Sequence, residues 1–379
     1  KIMQNIRMVD LKGQHESIRE EIKLEIDQVF NNTSFINGPV VKEFQKDLEK
    51  FNQVKHVIPC ANGTDALQIA LMALDLEPGD EVITTDFTFI STIEVIALLK
   101  LKPILVDIDI NTFNINTEEI KRAITNKTKV ILPVHIFGQV SDMDEIMKIA
   151  KNNNIIVLED NAQAIGATYT NFNGKKIKSG ALGDISATSF FPSKNLGGYG
   201  DGGAIFTNNS LLEKKIRAIA NHGMFKRYYH DYVGLNSRLD SIQAAILKVK
   251  LKYLDSYNQK RKKAAKIYNK FLKNRSDLIT PFVKGELDSH VYHQYTIRVN
   301  CKKRDPLANF LQENNIPYGI YYPVPLHLQK AYINNEFKNE NFINTNKVVK
   351  EVISLPMHTE LTFDQIEFIC NKIIDYLNK

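Results

Sequence analysis

The chain has 379 residues, of which 43% are hydrophobic and 24% charged, the composition of a soluble globular protein with one large and one smaller domain. Its net charge of +6 comes without an aromatic–basic platform or zinc-finger spacing, which argues against a nucleic-acid partner. No stretch approaches the roughly 20 apolar residues of a membrane helix, residues 1–12 lack the apolar core of a secretory signal, and the three cysteines are scattered. We therefore expect a cytoplasmic protein without disulfides, membrane contact or bound metal.

Short apolar runs alternate with helix-like segments between residues 55 and 210, and two of the helical patterns cover residues 64–76 and 143–151. This alternation predicts an α/β domain with a largely parallel sheet and helices on both faces, in which ligands gather at the carboxyl ends of the strands. The candidate strands cover residues 56–60, 81–84, 103–107, 130–135, 155–159, 185–190 and 203–207.

A long helical pattern at residues 241–272 leads into the C-terminal part of the chain. We expect a large α/β domain at residues 1–250 and a small α+β domain at residues 251–379. The elements predicted in the latter are strands at 294–299 and 318–321, a helix at 306–314 and two late helices.

Lys194 is the first candidate for chemistry. It follows a strand that ends in aromatics, within the segment Phe-Phe-Pro-Ser-Lys-Asn-Leu-Gly-Gly at 190–198. A lysine that attacks a carbonyl carbon must be partly desolvated and held by a short rigid loop, which the aromatic strand end and Pro192 could supply. A lone lysine in a turn would be a solvated charge, but this context favours a nucleophile.

Asp160 ends the apolar run at 155–159. Its carboxylate is either the N-cap of a helix or the anion that keeps a pyridinium nitrogen protonated, so that a cofactor can act as an electron sink. Asp160 and Lys194 end neighbouring strands among the candidates, so both side chains can face one crevice.

Three other features allow both a structural and a functional interpretation. The segment Ala-Asn-Gly-Thr-Asp-Ala-Leu at 61–67 opens a helix whose amides could bind phosphate, although any capped helix looks similar. Phe87 and Phe89 could stack on a flat cofactor ring or fill the core. His135, at a strand end, is interpreted as a hydrogen-bonded structural residue rather than a catalytic one.

Together these motifs resemble the DegT/DnrJ/EryC1/StrS family of sugar aminotransferases over essentially the whole chain. No single motif would suffice, but the combination is highly specific. Asn161 is a small departure, since the family commonly has alanine there. The motifs are Asn-Gly-Thr-Asp-Ala-Leu at 62–67, Phe-Thr-Phe at 87–89, Glu-Asp-Asn-Ala-Gln at 159–163, Ser-Lys-Asn-Leu at 193–196 and Asn-Ser-Arg-Leu-Asp at 236–240.

The resemblance implies a transferase of fold type I that depends on pyridoxal 5'-phosphate (PLP) and works as a homodimer with shared sites. Lys194 would hold the cofactor as a Schiff base and shuttle protons; family members that are dehydratases carry histidine at this position. The other implied cofactor contacts are Asp160 at the pyridinium nitrogen, Gln163 near the ring hydroxyl, Phe89 on the ring, and Gly63, Thr64, Ser189 and the partner subunit's Asn236 at the phosphate.

Within the family, the resemblance is strongest to enzymes that aminate C3 of UDP-2-acetamido-2-deoxy-3-oxo sugars, including the glucuronate of bacterial surface polysaccharides, with L-glutamate as the expected amino donor. Arg238 from the partner subunit would hold an anionic group such as the donor carboxylate. The uronate enzymes often read His-Tyr-Pro where this chain has Tyr-Tyr-Pro at 321–323. The sequence therefore does not decide which group the sugar carries at C6. The alternatives are a carboxylate, a hydroxymethyl group or, on a dTDP-linked sugar, a methyl group. The other candidate substrate contacts are Arg227, His230, Tyr321 and Tyr322.

Two other classes share the α/β pattern. A non-catalytic regulator on the same fold should lack the lysine or its aspartate, and both are present. A nicotinamide-dependent sugar oxidoreductase should carry a G-x-G-x-x-G fingerprint after a strand, and that fingerprint is missing.

Overall fold

The computed structural model describes residues 6–332 and 337–379 as a chain of alternating strands and helices. The strands are β1 (His56–Cys60), β2 (Glu81–Thr85), β3 (Lys102–Val106), β4 (Thr128–Leu132), β5 (Ile156–Asp160), β6 (Thr168–Thr170), β7 (Lys176–Lys178), β8 (Ile185–Ser189), β9 (Gly203–Thr207), β10 (Met224–Lys226), β11 (Tyr229–His230), β12 (Leu278–Ile279), β13 (Tyr295–Val299) and β14 (Val352–Leu355). The α-helices are α1 (Leu11–Glu16), α2 (Arg19–Asn32), α3 (Pro39–Asn52), α4 (Gly63–Met72), α5 (Ser91–Leu98), α6 (Thr117–Ala123), α7 (Met143–Asn153), α8 (Ser210–Ala220), α9 (Ser241–Leu251), α10 (Leu254–Leu272), α11 (Cys301–Glu313), α12 (Ile343–Val348) and α13 (Phe363–Leu377).

A seven-stranded sheet in the order β1-β9-β8-β5-β4-β2-β3 forms the centre of the large α/β part. Only β9 runs antiparallel to its neighbours, β1 and β8, and the other four pairings are parallel. The predicted α/β fold with a mostly parallel sheet is therefore confirmed, and all seven candidate strands lie in this sheet with their ends shifted by at most three residues.

Both faces of the large sheet are covered, as its apolar strands require. Val57 and Ile58 are consecutive in β1 and pack into two different hydrophobic cores, because neighbouring residues of a strand point to opposite faces. One of these cores holds the apolar side of α4, which packs against β8 and β9. This packing fixes the first residues of α4 near the end of β8, where Ser189 lies.

The C-terminal part has an antiparallel sheet, β12-β13-β14, which shares an apolar core with α10, α11 and α13. The predicted strand at 318–321 is wrong, because only Gly319 pairs there, in a single bridge with Ser354. The helical pattern at 241–272 is two helices, not one. They separate around Lys252 and Tyr253 because α9 packs on α2 and α3, whereas α10 packs on α13.

Within residues 6–332 and 337–379, no helix combines the length and the apolar character needed to cross a bilayer. In the same residues, no cluster of three or more His, Cys, Asp or Glu side chains could hold a metal ion.

Candidate active site

Asp160 and Lys194 lie at the same edge of the large sheet. Asp160 is the last residue of β5 and pairs in register with Ala187 of the parallel strand β8. Lys194 follows the end of β8 in a tight turn, in which its backbone N–H donates to the Phe191 carbonyl at 2.8 Å. The two side chains therefore face one crevice, as the order of the candidate strands predicted.

Asp160 is a buried carboxylate with few local donors. Thr92 Oγ1 donates to its Oδ2 at 3.1 Å, and the Ala162 backbone N–H donates to its Oδ1 at 3.1 Å. Burial raises the pKa of Asp160, and these hydrogen bonds and the nearby Lys194 act in the opposite direction. No helix follows directly, so this carboxylate is not the N-cap of a helix.

Lys194 is half-buried, with its ammonium group removed from bulk water. This desolvation lowers the pKa of Lys194 to about 8, although the negative charge of Asp160 opposes the shift. About a tenth of a lysine with this pKa is neutral at pH 7, far more than of an ordinary lysine, and the neutral form is the one that attacks a carbonyl carbon.

Gln163 and Tyr322 form one wall beside this pair. Gln163 Oε1 accepts from the Phe137 N–H at 2.7 Å, and its Nε2 donates to Tyr322 Oη at 3.1 Å. Burial raises the pKa of Tyr322, so its hydroxyl is neutral. Phe89 is 53% exposed with its ring tilted toward Tyr322, whereas Phe87 is buried. Of the two predicted aromatic candidates, only Phe89 is free to meet a ligand.

The first turn of α4 forms a cradle that only a small residue permits. A Cβ placed on Gly63 would lie 2.6 Å from Ser189 Cβ, and one on Gly203 would lie 2.4 Å from the Asn62 carbonyl oxygen. Asn62 caps the helix by accepting from the Asp65 N–H at 2.8 Å. The remaining amides of this turn, next to the Ser189 hydroxyl, suit a phosphate group.

These surroundings fit PLP. The turn of α4 offers donors for its phosphate, Asp160 is a buried anion for its ring nitrogen, and Lys194 is a partly neutral amine for its aldehyde. Thr64, the second residue of α4, is half-buried in the same turn.

His135 lies behind this site in a separate network. The Ser141 N–H donates to its Nδ1 at 3.1 Å, so its Nε2 carries the proton and donates to Glu159 Oε2 at 2.9 Å. The Glu159 carboxylate also accepts from the backbone N–H groups of Gly180, Leu182 and Gly183. These bonds favour the structural interpretation of His135.

Arg238 and Asn236 are not close to Lys194 through any contact in the described residues of one chain. Arg238 lines a cleft of about 590 Å³ whose wall includes Lys42, Lys46 and Arg217 but neither Lys194 nor Asp160. No Asp or Glu of the described residues lines this cleft, and there Arg238 has neither a hydrogen bond nor an ion pair. Asn236 is exposed nearby, bridged to Asn221.

Arg227 and His230 lie on an exposed hairpin, β10-β11, that projects beside α8. The Arg227 guanidinium stands 4.8 Å from the ring centroid of Tyr228, and His230 Nδ1 donates to the His222 carbonyl at 2.8 Å. Within the described chain neither residue contacts the crevice of Lys194. Tyr321 is half-buried with its ring folded against Gly319.

Thr92 was missed in the sequence, although it is the only side chain that donates a hydrogen bond to Asp160 among the described residues. It lies three residues after Phe89 at the start of α5, where a threonine is ordinary. The bond between Gln163 and Tyr322 was also missed, because 159 positions separate the two residues.

A mostly parallel sheet that carries a desolvated lysine and a buried aspartate at neighbouring strand ends, beside a helix turn suited to a phosphate group, is typical of PLP-dependent transferases. The sequence profile of the DegT/DnrJ/EryC1/StrS aminotransferase family matches residues 16–374. The chain belongs to this family, and it is an enzyme, a PLP-dependent aminotransferase.

Similar curated proteins cover nearly the whole chain. The pleiotropic regulatory protein of Geobacillus stearothermophilus is 45% identical over 98% of both chains. The UDP-2-acetamido-2-deoxy-3-oxo-D-glucuronate aminotransferase of Pseudomonas aeruginosa is 44% identical over 96% of this chain and 98% of its own. The UDP-N-acetyl-3-dehydro-alpha-D-glucosamine 3-aminotransferase of Acidithiobacillus ferrooxidans is 40% identical over 97% of both.

Among solved structures, NtdA of Bacillus subtilis with its bound cofactor PMP superimposes with a TM-score of 0.91. Its sequence is 30% identical to this chain, and the match covers 100% of this chain and 86% of NtdA.

Proposed function

We propose that the enzyme transfers the amino group of L-glutamate to the C3 carbonyl of a UDP-linked 2-acetamido-2-deoxy-3-oxo-hexose or of its uronic acid, for bacterial surface polysaccharide. The observation that carries the proposal is the desolvated Lys194 amine facing the buried Asp160 carboxylate at the ends of neighbouring strands. The activities named for the relatives at 44% and 40% identity support this class of sugar.

PLP, when bound, supplies an electron sink that stabilises negative charge on the carbon next to the amino group. Asp160 would keep the ring nitrogen protonated, which that electron sink requires. The remaining cofactor contacts we propose are Gln163 at the ring hydroxyl, Phe89 on the ring face, and Gly63, Thr64, Ser189 and the partner subunit's Asn236 at the phosphate.

Lys194 would act twice. Its neutral amine would hold the cofactor covalently in the resting enzyme. The pKa of about 8 leaves roughly a tenth of a free amine neutral at pH 7. Once the amine is released, its Nζ can take a proton from the α-carbon of glutamate and later return one at C3 of the sugar.

Arg238 would serve the site of the other subunit in a homodimer. Its guanidinium has no partner in the described residues of its own chain, and a planar bidentate donor of this kind suits the carboxylate of glutamate. The cations beside it, Lys42 and Lys46, support an anionic substrate at that cleft.

The group at C6 depends on residues with different chemistry. Tyr321 and Tyr322 offer neutral hydroxyls, and that of Tyr322 already accepts a hydrogen bond from Gln163. A C6 carboxylate would need a cationic or multi-donor partner to offset its desolvation, and Arg227 and His230 on the exposed hairpin are the candidates. We assign these two residues to the diphosphate instead, which every candidate substrate carries.

The test is a panel of 3-oxo and 4-oxo nucleotide sugars with L-glutamate, in which the amino product is identified by mass. The variant Arg227→Ala should weaken the UDP-3-oxo-GlcNAc and the uronate reactions to a similar extent, about tenfold in kcat/KM, because both substrates carry the diphosphate. Loss of the uronate activity alone would instead identify a carboxylate clamp and make the glucuronate the natural substrate.

Two alternatives have specific support. The neutral hydroxyls of Tyr321 and Tyr322 would also accommodate a dTDP-3-oxo-6-deoxyhexose, which the same panel distinguishes. A regulatory role is suggested by the name of the relative at 45% identity. A regulator without catalysis would give a purified protein that stays colourless with added PLP, whereas the proposed enzyme should be yellow.

A further inference from the structure

Two buried cations behind the active site have no counter-charge in the described residues. Lys250 is 1% exposed and Arg261 is 3% exposed, and neither forms an ion pair with an Asp or Glu there. Arg298, the third buried Lys or Arg of the described residues, does pair with a carboxylate, that of Glu351 at 2.8 Å. Arg261 Nη1 donates to the backbone carbonyls of Tyr292, His293 and Met357, at 3.2, 3.3 and 3.0 Å. These carbonyls carry no net charge. An uncompensated buried charge is costly, so the lack of a counter-charge at Lys250 and Arg261 needs an explanation.

Several hydrogen-bond donor atoms on these two cations and beside them have no acceptor. Tyr257 Oη and Arg261 Nε lie one turn apart on α10, and both are buried without a partner. The Lys250 ammonium stands 5.4 Å from the ring centroid of Tyr199 and makes no hydrogen bond in the described residues.

His358 adds a fourth donor. Its Nδ1 accepts from the Glu360 N–H at 3.2 Å, so the proton of the neutral ring lies on Nε2. This Nε2 is buried with no partner at hydrogen-bonding geometry, although the Arg7 backbone carbonyl is near enough to raise the pKa of the ring. Burial is the main cause that lowers the pKa of His358, and the positive charge of Arg261 is the second. The pKa is about 4, so the ring is neutral at pH 7.

The four groups occupy one region between α9, α10 and the segment after β14. Arg261 Nη1 donates to the Met357 carbonyl at 3.0 Å, which places its guanidinium beside His358. Arg261 is also close enough to Lys250 to add to the effect of burial, and together they lower the pKa of Lys250 to about 8. We call Lys250, Tyr257, Arg261 and His358 the donor cluster.

The carboxylates that face this region are bonded elsewhere. Asp10 and Glu360 both act on His358 through their charge. Asp10 Oδ1 accepts from Arg7 Nη1 and the Gly13 N–H, at 2.9 and 3.0 Å. Glu360 accepts from Thr359 at 2.9 Å and pairs with Lys260 at 3.8 Å. Glu21, whose charge acts on Tyr257 together with that of Glu360, is bonded to Lys252 and Tyr253. None of these three carboxylates forms a hydrogen bond with the donor cluster.

We propose that the donor cluster is a binding site for a small monovalent inorganic anion such as chloride. Two positive charges lack a carboxylate partner, and one donor atom on each of the four side chains lacks an acceptor at hydrogen-bonding geometry. This arrangement matches an anion in both charge and hydrogen bonding. A water molecule would satisfy at most two of these donors and would leave both charges uncompensated. A bound anion would tie α9 and α10 to the segment after β14 and stabilise the folded holoenzyme.

The first test measures the thermal midpoint of the PLP-loaded enzyme in sodium chloride and in sodium gluconate at equal ionic strength. We expect chloride to raise the midpoint of the parent by roughly 1–3 °C relative to gluconate, an ion too large for the cluster. Lys250→Met keeps the apolar stem and removes the charge, so it should lose this difference. The control Lys252→Met, at an exposed position two residues further on, should keep it. An equal chloride response in the parent and in Lys250→Met would overturn the proposal.

The second test does not depend on how the variant folds. Crystals of the parent holoenzyme grown or soaked with sodium bromide should show an anomalous peak within contact distance of Lys250 Nζ and Arg261 Nε. Ordered water without anomalous signal at this position, in crystals where bromide is bound elsewhere, would also overturn the proposal.

Discussion

Asp160 combines a buried position with a charge that the proposed chemistry needs. Burial alone raises the pKa of its carboxyl group, and the hydroxyl of Thr92, the Ala162 N–H and the charge of Lys194 act against that shift. The ionised state of Asp160 therefore depends on a small set of neighbours, each of which can be removed separately.

Replacing Asp160 with Asn should lower kcat by about 100- to 1000-fold, since the amide cannot keep the ring nitrogen protonated. The dissociation constant of PLP, measured by equilibrium dialysis, should change much less than kcat, because the phosphate contacts remain. Thr92→Val is the matched variant, since it removes one hydrogen bond to Asp160 and keeps the charge; its loss of kcat should be smaller. Unchanged turnover in Asp160→Asn would mean that the carboxylate is structural only.

Single residues differ in how far their role can be predicted from sequence. The proximity of Asp160 and Lys194 follows from the order of two strands, because the carboxyl ends of neighbouring parallel strands lie at the same edge of a sheet. The contact of Gln163 with Tyr322 depends on how a distant loop returns to the large sheet, and neither motif contains that information. The roles of Arg227 and Arg238 are still predictions for the same reason.

At the scale of elements, one buried ion pair ties a C-terminal loop to the carboxyl end of β2. His327 Nδ1 lies 2.7 Å from Asp86 Oδ2, and its Nε2 lies 2.9 Å from Asn339 Oδ1. Burial alone would lower the pKa of His327, but these two oxygens raise it above its ordinary value. Asp86 directly precedes the segment that carries Phe89, so this tie positions one wall of the active site.

The stabilisation from this tie should depend on pH. It is fully present below the ordinary histidine pKa of about 6.5 and is lost as the pH rises through the raised pKa of folded His327. Burial also raises the pKa of Asp86, so its contribution to stability is likewise lost as the pH rises through its pKa in the folded protein. His327→Gln should therefore lower the thermal midpoint of the apoenzyme more at about pH 6 than at about pH 9.

The control for this prediction is His56→Gln, at a histidine that bonds Ser210 near the surface. It should have a small effect at both pH values. A midpoint deficit of His327→Gln that is the same at both pH values would show that the tie does not involve a titrating group.

The elements that were predicted wrongly show which information the sequence lacks. The break between α9 and α10 contains neither proline nor glycine, so local propensity gives no sign of it, and the cause is packing on different neighbours. Residues 318–321 have the composition of a strand, but the chain leaves the sheet after Gly319 and turns toward Gln163. The strands of the large sheet were predictable because both of their faces are apolar.

At the scale of the whole molecule, the separation of Arg238 from Lys194 makes the homodimer testable. Lys194→Ala and Arg238→Ala should each be inactive, the first without its amine and the second without its anion-binding group in the other subunit's site. In a heterodimer of the two variants, one of the two sites regains both residues, so about half of the parent dimer's activity should return. The heterodimer is isolated with two affinity tags and assayed with glutamate and the nucleotide sugar.

The matched controls are the two homodimers, purified in the same way. A verified heterodimer as inactive as these would show that each subunit supplies its own Arg238.

Among the described residues, the strand β1 pairs only with β9, some 145 residues further along the chain. During synthesis from the N-terminus, β1 and the turn at Gly63 therefore remain unpaired, while β2, β3, β4 and β5 can already assemble. The proposed phosphate cradle at the first turn of α4 is complete only when Gly203 reaches Asn62, so it is one of the last parts of the large sheet to form. Capture of PLP by a nascent chain would thus report that this sheet is complete, and chains truncated before β9 should not retain the cofactor.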